Sequence, residues 1–277
     1  MKKGKVDSII KVALKEDMPQ GDITSESIIP PRSRSKAVIL AKEEGVLAGI
    51  DVAKRVFQKI DPEVRFRKIL EDGETFKKGE RLAEIEGSSI SLLKGERTAL
   101  NFLQRMSGIA TATRKFVQAI QGTKTKILDT RKTTPGLRAL EKYAVRTGGG
   151  SNHRFSLSDM VLIKDNHLRL VGSISEAVKR AKQRVKPGVK IEVEATSLEE
   201  VREAVQSGAD MVMLDNMPME KIKKALKWTK GRIPVEASGK VTLAKAKEAA
   251  SLGVDFISVG SLTHSYKSVD ISFEFLG

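Results

Sequence analysis

The chain has 277 residues, which is enough for one or two domains with a full hydrophobic core. It contains no cysteine, which excludes disulfides, thiolate metal sites and cysteine nucleophiles. No apolar run reaches the roughly 20 residues of a membrane-spanning helix, so we expect a cytoplasmic protein with no membrane partner.

The charge of the chain is strongly positive. There are 50 Lys and Arg residues against 35 Asp and Glu, which gives a formal net charge of +15. Such an excess suits an anionic partner, whether nucleic acid, a membrane surface or a phosphorylated small molecule. Nucleic-acid binders interleave basic blocks with stacking aromatics, whereas only 4% of these residues are aromatic and the basic ones are scattered among acids. We therefore expect a heavily charged solvated surface and no nucleic-acid partner.

The N-terminal part predicts a small, sandwich-like α/β domain. Residues 35–49 indicate a strand and a turn, residues 50–60 have helical apolar spacing, and residues 64–87 indicate short strands. A long helical pattern follows over 95–121. We place this domain at 1–108 and expect the extreme C-terminus, about 266–277, to pack on it.

The remainder alternates strands with amphipathic helices. The predicted strands cover 125–129, 160–164, 189–194, 211–215, 234–236 and 255–259, and the predicted helices cover 137–147, 173–186, 197–207, 218–230 and 241–252. Six strands are fewer than the eight of a complete barrel, so we predict an open (β/α) barrel over 109–265. A doubly wound parallel sheet is the alternative.

Polar side chains follow each of these strands. In (β/α) barrels the carboxyl ends of the strands converge on the catalytic face, so the sequence predicts an active site there. The predicted site contains five cationic side chains and two carboxylates: Arg131, Lys132, His153, Arg154, Lys164, Glu194 and Asp215. So many cations predict a substrate with several negative charges. The small residues of 237–239 and 259–261 also suit phosphate-binding turns.

Several of these residues have simpler explanations. Arg131 and Lys132 could be ordinary loop cations, His153 a capping or core histidine, and Asp215 a helix cap. Lys164 follows an apolar strand, so we expect it to be buried, and burial without a partner would be costly. A lysine at a barrel strand end also permits a Schiff-base lyase, and the net charge permits an RNA-binding protein whose affinity falls with salt.

Five long motifs resemble one family, the quinolinate phosphoribosyltransferases, also called nicotinate-nucleotide pyrophosphorylases (carboxylating). The resemblance covers nearly the whole chain, and the segments that carry it are 16–25 (EDMPQGDITS), 96–111 (ERTALNFLQRMSGIAT), 129–138 (DTRKTTPGLR), 146–154 (RTGGGSNHR) and 163–167 (IKDNH). The resemblance implies a two-domain subunit in a homodimer or larger homo-oligomer. It also implies the transfer of phosphoribose from phosphoribosyl pyrophosphate to quinolinate with decarboxylation, which gives nicotinate mononucleotide, pyrophosphate and CO2. A related enzyme with another pyridine or pyrimidine acceptor is the alternative.

The resemblance also implies roles for individual residues. The catalytic residues would be Lys132, Lys164, Glu194 and Asp215, with Mg²⁺ bound together with phosphoribosyl pyrophosphate by Glu194 and Asp215, directly or through substrate or water. The implied substrate-binding residues are Arg97, Thr130, Arg131, Lys132, His153, Arg154, Lys164, Glu194, Asp215, Ser238, Gly239, Lys240, Ser258, Val259, Gly260 and His264.

Two of these positions carry further expectations. Lys240 stands where the family pattern leads us to expect a small or polar residue. Arg97 is predicted at the start of the long helix, where the helix dipole disfavours a cation. We therefore expect Arg97 to meet an anion, either in the active site of a neighbouring subunit or on the adjacent Glu96.

Overall fold

The structure is a computed structural model that describes residues 3–229 and 231–276. The helices are Lys3–Asp17 (α1), Ile23–Ile28 (α2), Ile50–Ile60 (α3), Ser89–Ala119 (α4), Arg138–Thr147 (α5), Asp165–Val171 (α6), Ile174–Arg184 (α7), Leu198–Gln206 (α8), Met219–Thr229 (α9), Leu243–Leu252 (α10) and Ser261–His264 (α11). The strands are Arg34–Ala41 (β1), Gly45–Val46 (β2), Arg65–Lys68 (β3), Thr75–Phe76 (β4), Arg81–Ser88 (β5), Lys126–Leu128 (β6), Val161–Ile163 (β7), Ile191–Ala195 (β8), Met211–Asp215 (β9), Val235–Ser238 (β10), Phe256–Ser258 (β11) and Ile271–Leu276 (β12).

The first of two compact units contains the residues up to Arg114, residues 133–149 and the residues from Leu262 onward. Its main sheet is antiparallel, with strand order β12-β1-β5-β3. The ring of Phe57 in α3 packs against Phe66 of β3 and Phe273 of β12, with centroids 6.1 and 5.7 Å apart. Helix α3 therefore covers one face of a sheet that includes the C-terminal strand.

Helix α5 belongs to this first unit, although the sequence pattern placed it in the β/α alternation of the barrel. Arg105 of α4 donates to the carboxylate of Glu141, which is fully buried in α5. The hydroxyl of Tyr143 donates to Asp72 at 2.7 Å. A buried ion pair and a side-chain hydrogen bond thus hold α5 within the first unit.

The second unit contains residues 115–132 and 150–261. Its six parallel strands have the order β6-β11-β10-β9-β8-β7. Strands β7 to β11 therefore neighbour one another in chain order, and β11 also pairs with β6. A doubly wound sheet would reverse its order at a switch point, whereas this circular order, interrupted only between β6 and β7, confirms the open (β/α) barrel.

A short extended segment covers the free edge of β6. Ser151 bridges Leu128, donating its N–H to the carbonyl of Ile127 at 2.8 Å and accepting from the N–H of Asp129 at 3.2 Å. The chain after Gly150 is thereby fixed beside β6, at the point where the sheet is open.

Apolar side chains fill one face of the strands of this unit. Val193, Val212, Leu214, Val235 and Ile257 are all buried and lie in register on that face, as expected where helices cover a parallel sheet. Among the described residues, no helix combines the length and the apolarity that crossing a membrane requires.

Candidate active site

The predicted site residues of the second unit meet at one edge of the parallel sheet. Glu194 and Asp215 lie at the ends of β8 and β9, and Ser238 at the end of β10 is paired in register with Asp215. Lys164 directly follows β7. Because the strands are parallel, their carboxyl ends share one rim, which is the catalytic face of a (β/α) barrel.

Lys164 and Glu194 form an ion pair at this rim. The Nζ of Lys164 donates to Oε2 of Glu194. The side chain of Lys164 is 41% exposed, whereas that of Glu194 is 11% exposed, so the expectation of a buried Lys164 is wrong. Lys164 directly follows the apolar strand, and its side chain lies at the rim, where it contacts both solvent and the Glu194 carboxylate.

Arg131 and Arg154 contribute two guanidinium groups to the candidate site, and the charge of Arg131 acts on Arg154. Burial, and then the positive charge of Arg131, lower the pKa of Arg154. The Nη1 of Arg154 also donates to the carbonyl of Met160 at 3.1 Å. Two like charges held together in a partly buried site gain free energy when an anion with more than one negative charge binds between them.

The segment that carries His153 and Arg154 is held from the β6 side by Asp129. This carboxylate is fully buried, accepts from Nδ2 of Asn152 and accepts from the N–H of His153 at 2.9 Å. An aspartate directly after β6 thus anchors the segment that covers the edge of β6.

On its other side, His153 faces two buried glutamates. Its Nε2 lies 3.0 Å from Oε2 of Glu192 in β8 and 3.5 Å from Oε2 of Glu236 in β10. Both glutamates are fully buried. Burial, and then the charge of Glu192, raise the pKa of Glu236 to about 8. The barrel interior below the rim therefore contains a carboxylate pair in which burial and mutual repulsion favour the protonated form of Glu236.

The predicted phosphate turn after β10 is built around Gly239 and Asn216. Asn216 has a positive φ of 52° and donates its N–H to the carbonyl of Ser238 at 3.0 Å. Its Oδ1 accepts from the N–H of Lys240 at 3.2 Å. Lys240 is exposed and contributes its backbone to this turn, so the departure of its side chain from the family pattern does not disturb the turn.

The turn after β11 offers fewer groups. Ser258 and Val259 are buried, and the N–H of Val259 donates to the carbonyl of Leu128 at 2.9 Å. Val259 therefore offers neither its side chain nor its amide to a ligand, while Gly260 follows it at the rim.

After β6, the hydroxyl of Thr130 accepts from the N–H of Lys132 at 3.0 Å, and Lys132 is exposed.

Arg97 and His264 lie in the first compact unit. Helix α4 begins at Ser89, so Arg97 lies about two turns inside the helix, and the expectation that Arg97 opens it is wrong. Arg97 is exposed and, among the described residues, it has no ion pair or hydrogen bond from its side chain, with Glu96 or any other. His264 is exposed and its Nδ1 lies 2.6 Å from the hydroxyl of Ser265.

Four residues that shape the site were not among the predicted site residues: Asp129, Glu192, Asn216 and Glu236. Glu192 is two positions before Glu194 on one strand, so the two side chains point to the same face. A charged residue inside an otherwise apolar parallel strand is the sequence feature that could have identified Glu192 and Glu236.

Fold and site together define an α/β-barrel enzyme with cationic and acidic side chains along the rim of its parallel sheet. Models of the N-terminal and C-terminal domains of quinolinate phosphoribosyl transferase match residues 22–107 and 109–274. The chain belongs to the quinolinate phosphoribosyltransferase family.

Individual relatives match over almost the full chain. A probable nicotinate-nucleotide pyrophosphorylase [carboxylating] from Bacillus subtilis is 49% identical over 94% of this chain and 89% of its own length. A quinolinate phosphoribosyltransferase [decarboxylating] from Nicotiana tabacum is 40% identical over 96% of this chain and 81% of its own. The structure of NadC from Streptococcus pyogenes, at 43% identity, superposes with a TM-score of 0.95 and covers 100% of this chain and 99% of its own.

Proposed function

We propose that this protein transfers the phosphoribosyl group of phosphoribosyl pyrophosphate to quinolinate and removes CO2, giving nicotinate mononucleotide and pyrophosphate in the synthesis of NAD. Cationic and acidic side chains at neighbouring strand ends, among them Lys164 paired with Glu194, are the observation that carries the proposal. Quinolinate is a dicarboxylate, and the relatives are named for reactions that use or form it.

The cations would bind the two carboxylates of quinolinate. Arginine binds a carboxylate bidentately, whereas lysine acts as a point charge. Arg131 and Arg154 are suited to fix one or both carboxylates in orientation, and Lys132 is exposed at the same rim. With the acid held in this way, the ring nitrogen is directed toward the ribose carbon that it attacks.

Glu194 and Asp215 would act on the ribosyl donor. They lie at the ends of the neighbouring strands β8 and β9. In the transfer step the bond from C1′ to the pyrophosphate oxygen breaks, the bond from C1′ to the quinolinate nitrogen forms, and the electron pair leaves with pyrophosphate. Positive charge develops on the ribose ring as this happens, and carboxylates at the rim stabilise it.

Mg²⁺ is the metal that we propose to accompany the donor. Carboxylate oxygens are suitable ligands for Mg²⁺, which usually reaches proteins through one or two carboxylates plus substrate phosphates. Lys164 bonds one oxygen of Glu194 and Asn216 bonds one oxygen of Asp215 at 2.9 Å, so each carboxylate retains a second oxygen. When bound, the ion would offset the charge of the leaving pyrophosphate.

Decarboxylation completes the reaction. The bond between ring carbon C2 and its carboxylate breaks, CO2 departs, and the electron pair left at C2 takes up a proton. A nearby cation stabilises that charge, and Lys164 and Lys132 are the cations that we propose for this step. The ion pair with Glu194 holds the Lys164 ammonium at the rim.

We further propose that the enzyme is a homodimer or larger homo-oligomer in the cytoplasm, with Arg97 supplied to the active site of a neighbouring subunit. The exposure of Arg97 and the lack of a bond from its side chain to any described residue support an external anion. A chain without cysteine does not depend on an oxidising compartment for its fold.

Product analysis tests the activity directly. Purified protein with quinolinate, phosphoribosyl pyrophosphate and Mg²⁺ should form nicotinate mononucleotide, pyrophosphate and CO2 in equal amounts. Nicotinate is the control acceptor, because it lacks the second carboxylate. Turnover of nicotinate without turnover of quinolinate would overturn the proposal.

A further inference from the structure

Two buried glutamates have no role in the mechanism proposed above. Glu192 and Glu236 are fully buried behind His153, on strands β8 and β10. Buried carboxylates are costly unless they are paired or hydrogen-bonded. The contacts of the His153 ring show what they hold.

The hydrogen-bond directions define the state of the ring. The backbone N–H of Arg154 points to Nδ1 of His153, at 2.8 Å. An amide N–H can only donate, so Nδ1 must accept through its lone pair and carries no proton. A neutral imidazole has its proton on the other nitrogen, so Nε2–H donates to Oε2 of Glu192 at 3.0 Å. Both ring nitrogens are therefore engaged by the protein itself.

We propose that Glu192 is a positioning residue that holds His153 as the neutral Nε2–H tautomer, and that His153 in turn fixes the backbone of Arg154. The inference rests on the proposed function, because the value of fixing Arg154 lies in its contact with quinolinate. His153 then serves as a neutral spacer between the buried carboxylate and the arginine, rather than as a cation that binds the substrate, which is the role implied by the family resemblance.

The anchors of the segment support this role. Asp129 accepts the N–H of His153, while Glu192 receives the ring from the opposite side. The segment is thus held between β6 and β8, across the place where the sheet is open. We therefore expect the position of Arg154 to depend on both carboxylates.

A metal ion is the competing explanation for the same cluster. Ligand atoms of His153, Glu192 and Glu236 lie within 4.8 Å of one another. A metal bound to Nε2 requires that nitrogen to be unprotonated, so the ring proton would have to be on Nδ1. The Arg154 N–H already points at Nδ1, so the backbone favours the tautomer that cannot bind a metal at Nε2.

Nitrogen NMR of the unmodified protein tests the tautomer. The chain has three histidines, so ¹⁵N-histidine labelling gives three ring patterns, and the pattern of His153 is the one lost in His153→Gln. We expect one protonated and one unprotonated nitrogen at pH 7, with the proton on Nε2, and no change on addition of Zn²⁺ or Mn²⁺. A doubly protonated ring, an Nδ1–H ring, or a metal-dependent shift of the ring would each overturn the inference.

Kinetics of Glu192 variants test the positioning role. Glu192→Leu, which cannot accept from Nε2–H, should raise KM for quinolinate about tenfold or more while changing kcat by about threefold or less. Glu192→Gln retains an acceptor oxygen and should return KM to within about threefold of the unmodified protein. Glu199→Leu on the exposed start of α8 is the control for the substitution itself. Equal KM values in the Leu and Gln variants would contradict the role.

The two experiments separate the inference from the proposed function. The tautomer is read without any turnover, so a protein that makes no nicotinate mononucleotide would still give an informative NMR pattern. Conversely, an imidazolium at His153 in an enzyme that forms the expected products would remove only the inference. If Glu192→Leu does not fold, the NMR experiment on the unmodified protein still decides the question.

Discussion

Asn216 and Gly239 approach each other so closely that only glycine fits at position 239. A Cβ added to Gly239 would lie 2.3 Å from Oδ1 of Asn216, and Gly239 has a φ of +124°. The same Oδ1 receives the N–H of Lys240. The shape of the predicted phosphate turn therefore depends on one contact between the ends of β9 and β10.

Gly239→Ala should accordingly damage binding of phosphoribosyl pyrophosphate. The added methyl group would push Asn216 away and open the turn, so we expect KM for the donor to rise about tenfold or more. Gly253→Ala is a matched control, because Gly253 has a φ of +92° but nothing within 4 Å of the added Cβ. That control should lose about 1–2 kcal/mol of stability and keep its KM. Equal KM changes in both variants would show that strain alone, and not the contact with Asn216, is responsible.

The Lys164–Glu194 ion pair should matter for activity and very little for stability. Lys164 is 41% exposed and Glu194 is 11% exposed. Because the Lys164 ammonium lies partly in solvent, we expect the pair to contribute about 1 kcal/mol to stability. Lys164→Met should therefore change the Tm by only a few degrees, yet lower kcat by about a hundredfold or more because a catalytic cation is lost. Lys190→Met removes a lysine from a surface pair with Asp210, at 3.1 Å, and should leave kcat unchanged. A Lys164→Met enzyme with normal turnover would remove Lys164 from the mechanism.

Arg131→Ala should weaken quinolinate binding. Losing one partner of a buried charge pair costs about 2–5 kcal/mol, so calorimetric titration should show a drop in affinity of that size. Arg202→Ala is the control, since Arg202 stacks over Trp228 at 6.0 Å on the surface of α8 and should bind quinolinate normally. A normal titration of Arg131→Ala would contradict the proposal that two arginines read the acid.

The sequence predicts the barrel well because its strands and helices repeat. Continuous apolar runs such as 211–214 separate cleanly from amphipathic helices, so β9 is found at the predicted residues. Helix α1 was not predicted, although Val6 and Ile10 are buried on one of its faces, because its other residues are largely charged. Secondary-structure patterns also cannot show which sheet a helix packs on. Helix α5 belongs to the first unit, where its Glu141 pairs with Arg105.

The chemistry of the rim could be predicted only in part. Strand-end cations and carboxylates are visible because charge follows an apolar run at Lys164 and Glu194. The state of each group depends on neighbours from distant parts of the chain, which a single sequence does not reveal. Glu192 meets His153 from 39 positions away, and that contact, rather than local sequence, defines the role of the ring.

The buried Glu236 should make stability depend on pH. Its folded-state pKa is raised from the ordinary 4.5 to about 8, so between these values the folded protein retains a proton that the unfolded chain has lost. The free energy of unfolding therefore falls as pH rises through this window. Glu236→Gln has no such proton, so its Tm relative to the unmodified protein should increase from about pH 5 to about pH 8.5. Met213→Leu, another buried change that alters no titratable group, is the control. A Tm difference for Glu236→Gln that stays constant with pH would show that Glu236 is ionised in the folded state.

Complementation between subunits tests whether Arg97 acts in a neighbouring active site. In a two-fold symmetric dimer, each subunit would give one Arg97 and receive one. Arg97→Ala and Lys164→Ala subunits should each be inactive alone. After exchange, about half of the dimers are mixed, and each mixed dimer has one site that combines an intact Lys164 with an intact Arg97 from the partner. The mixture should therefore recover about a quarter of the native activity. Exposed Lys115 on the same helix provides the control, because Lys115→Ala homodimers should be active without mixing with a second variant. Mass spectrometry verifies that subunits have exchanged. If no activity is recovered after verified exchange, Arg97 acts in the site of its own subunit or outside any site.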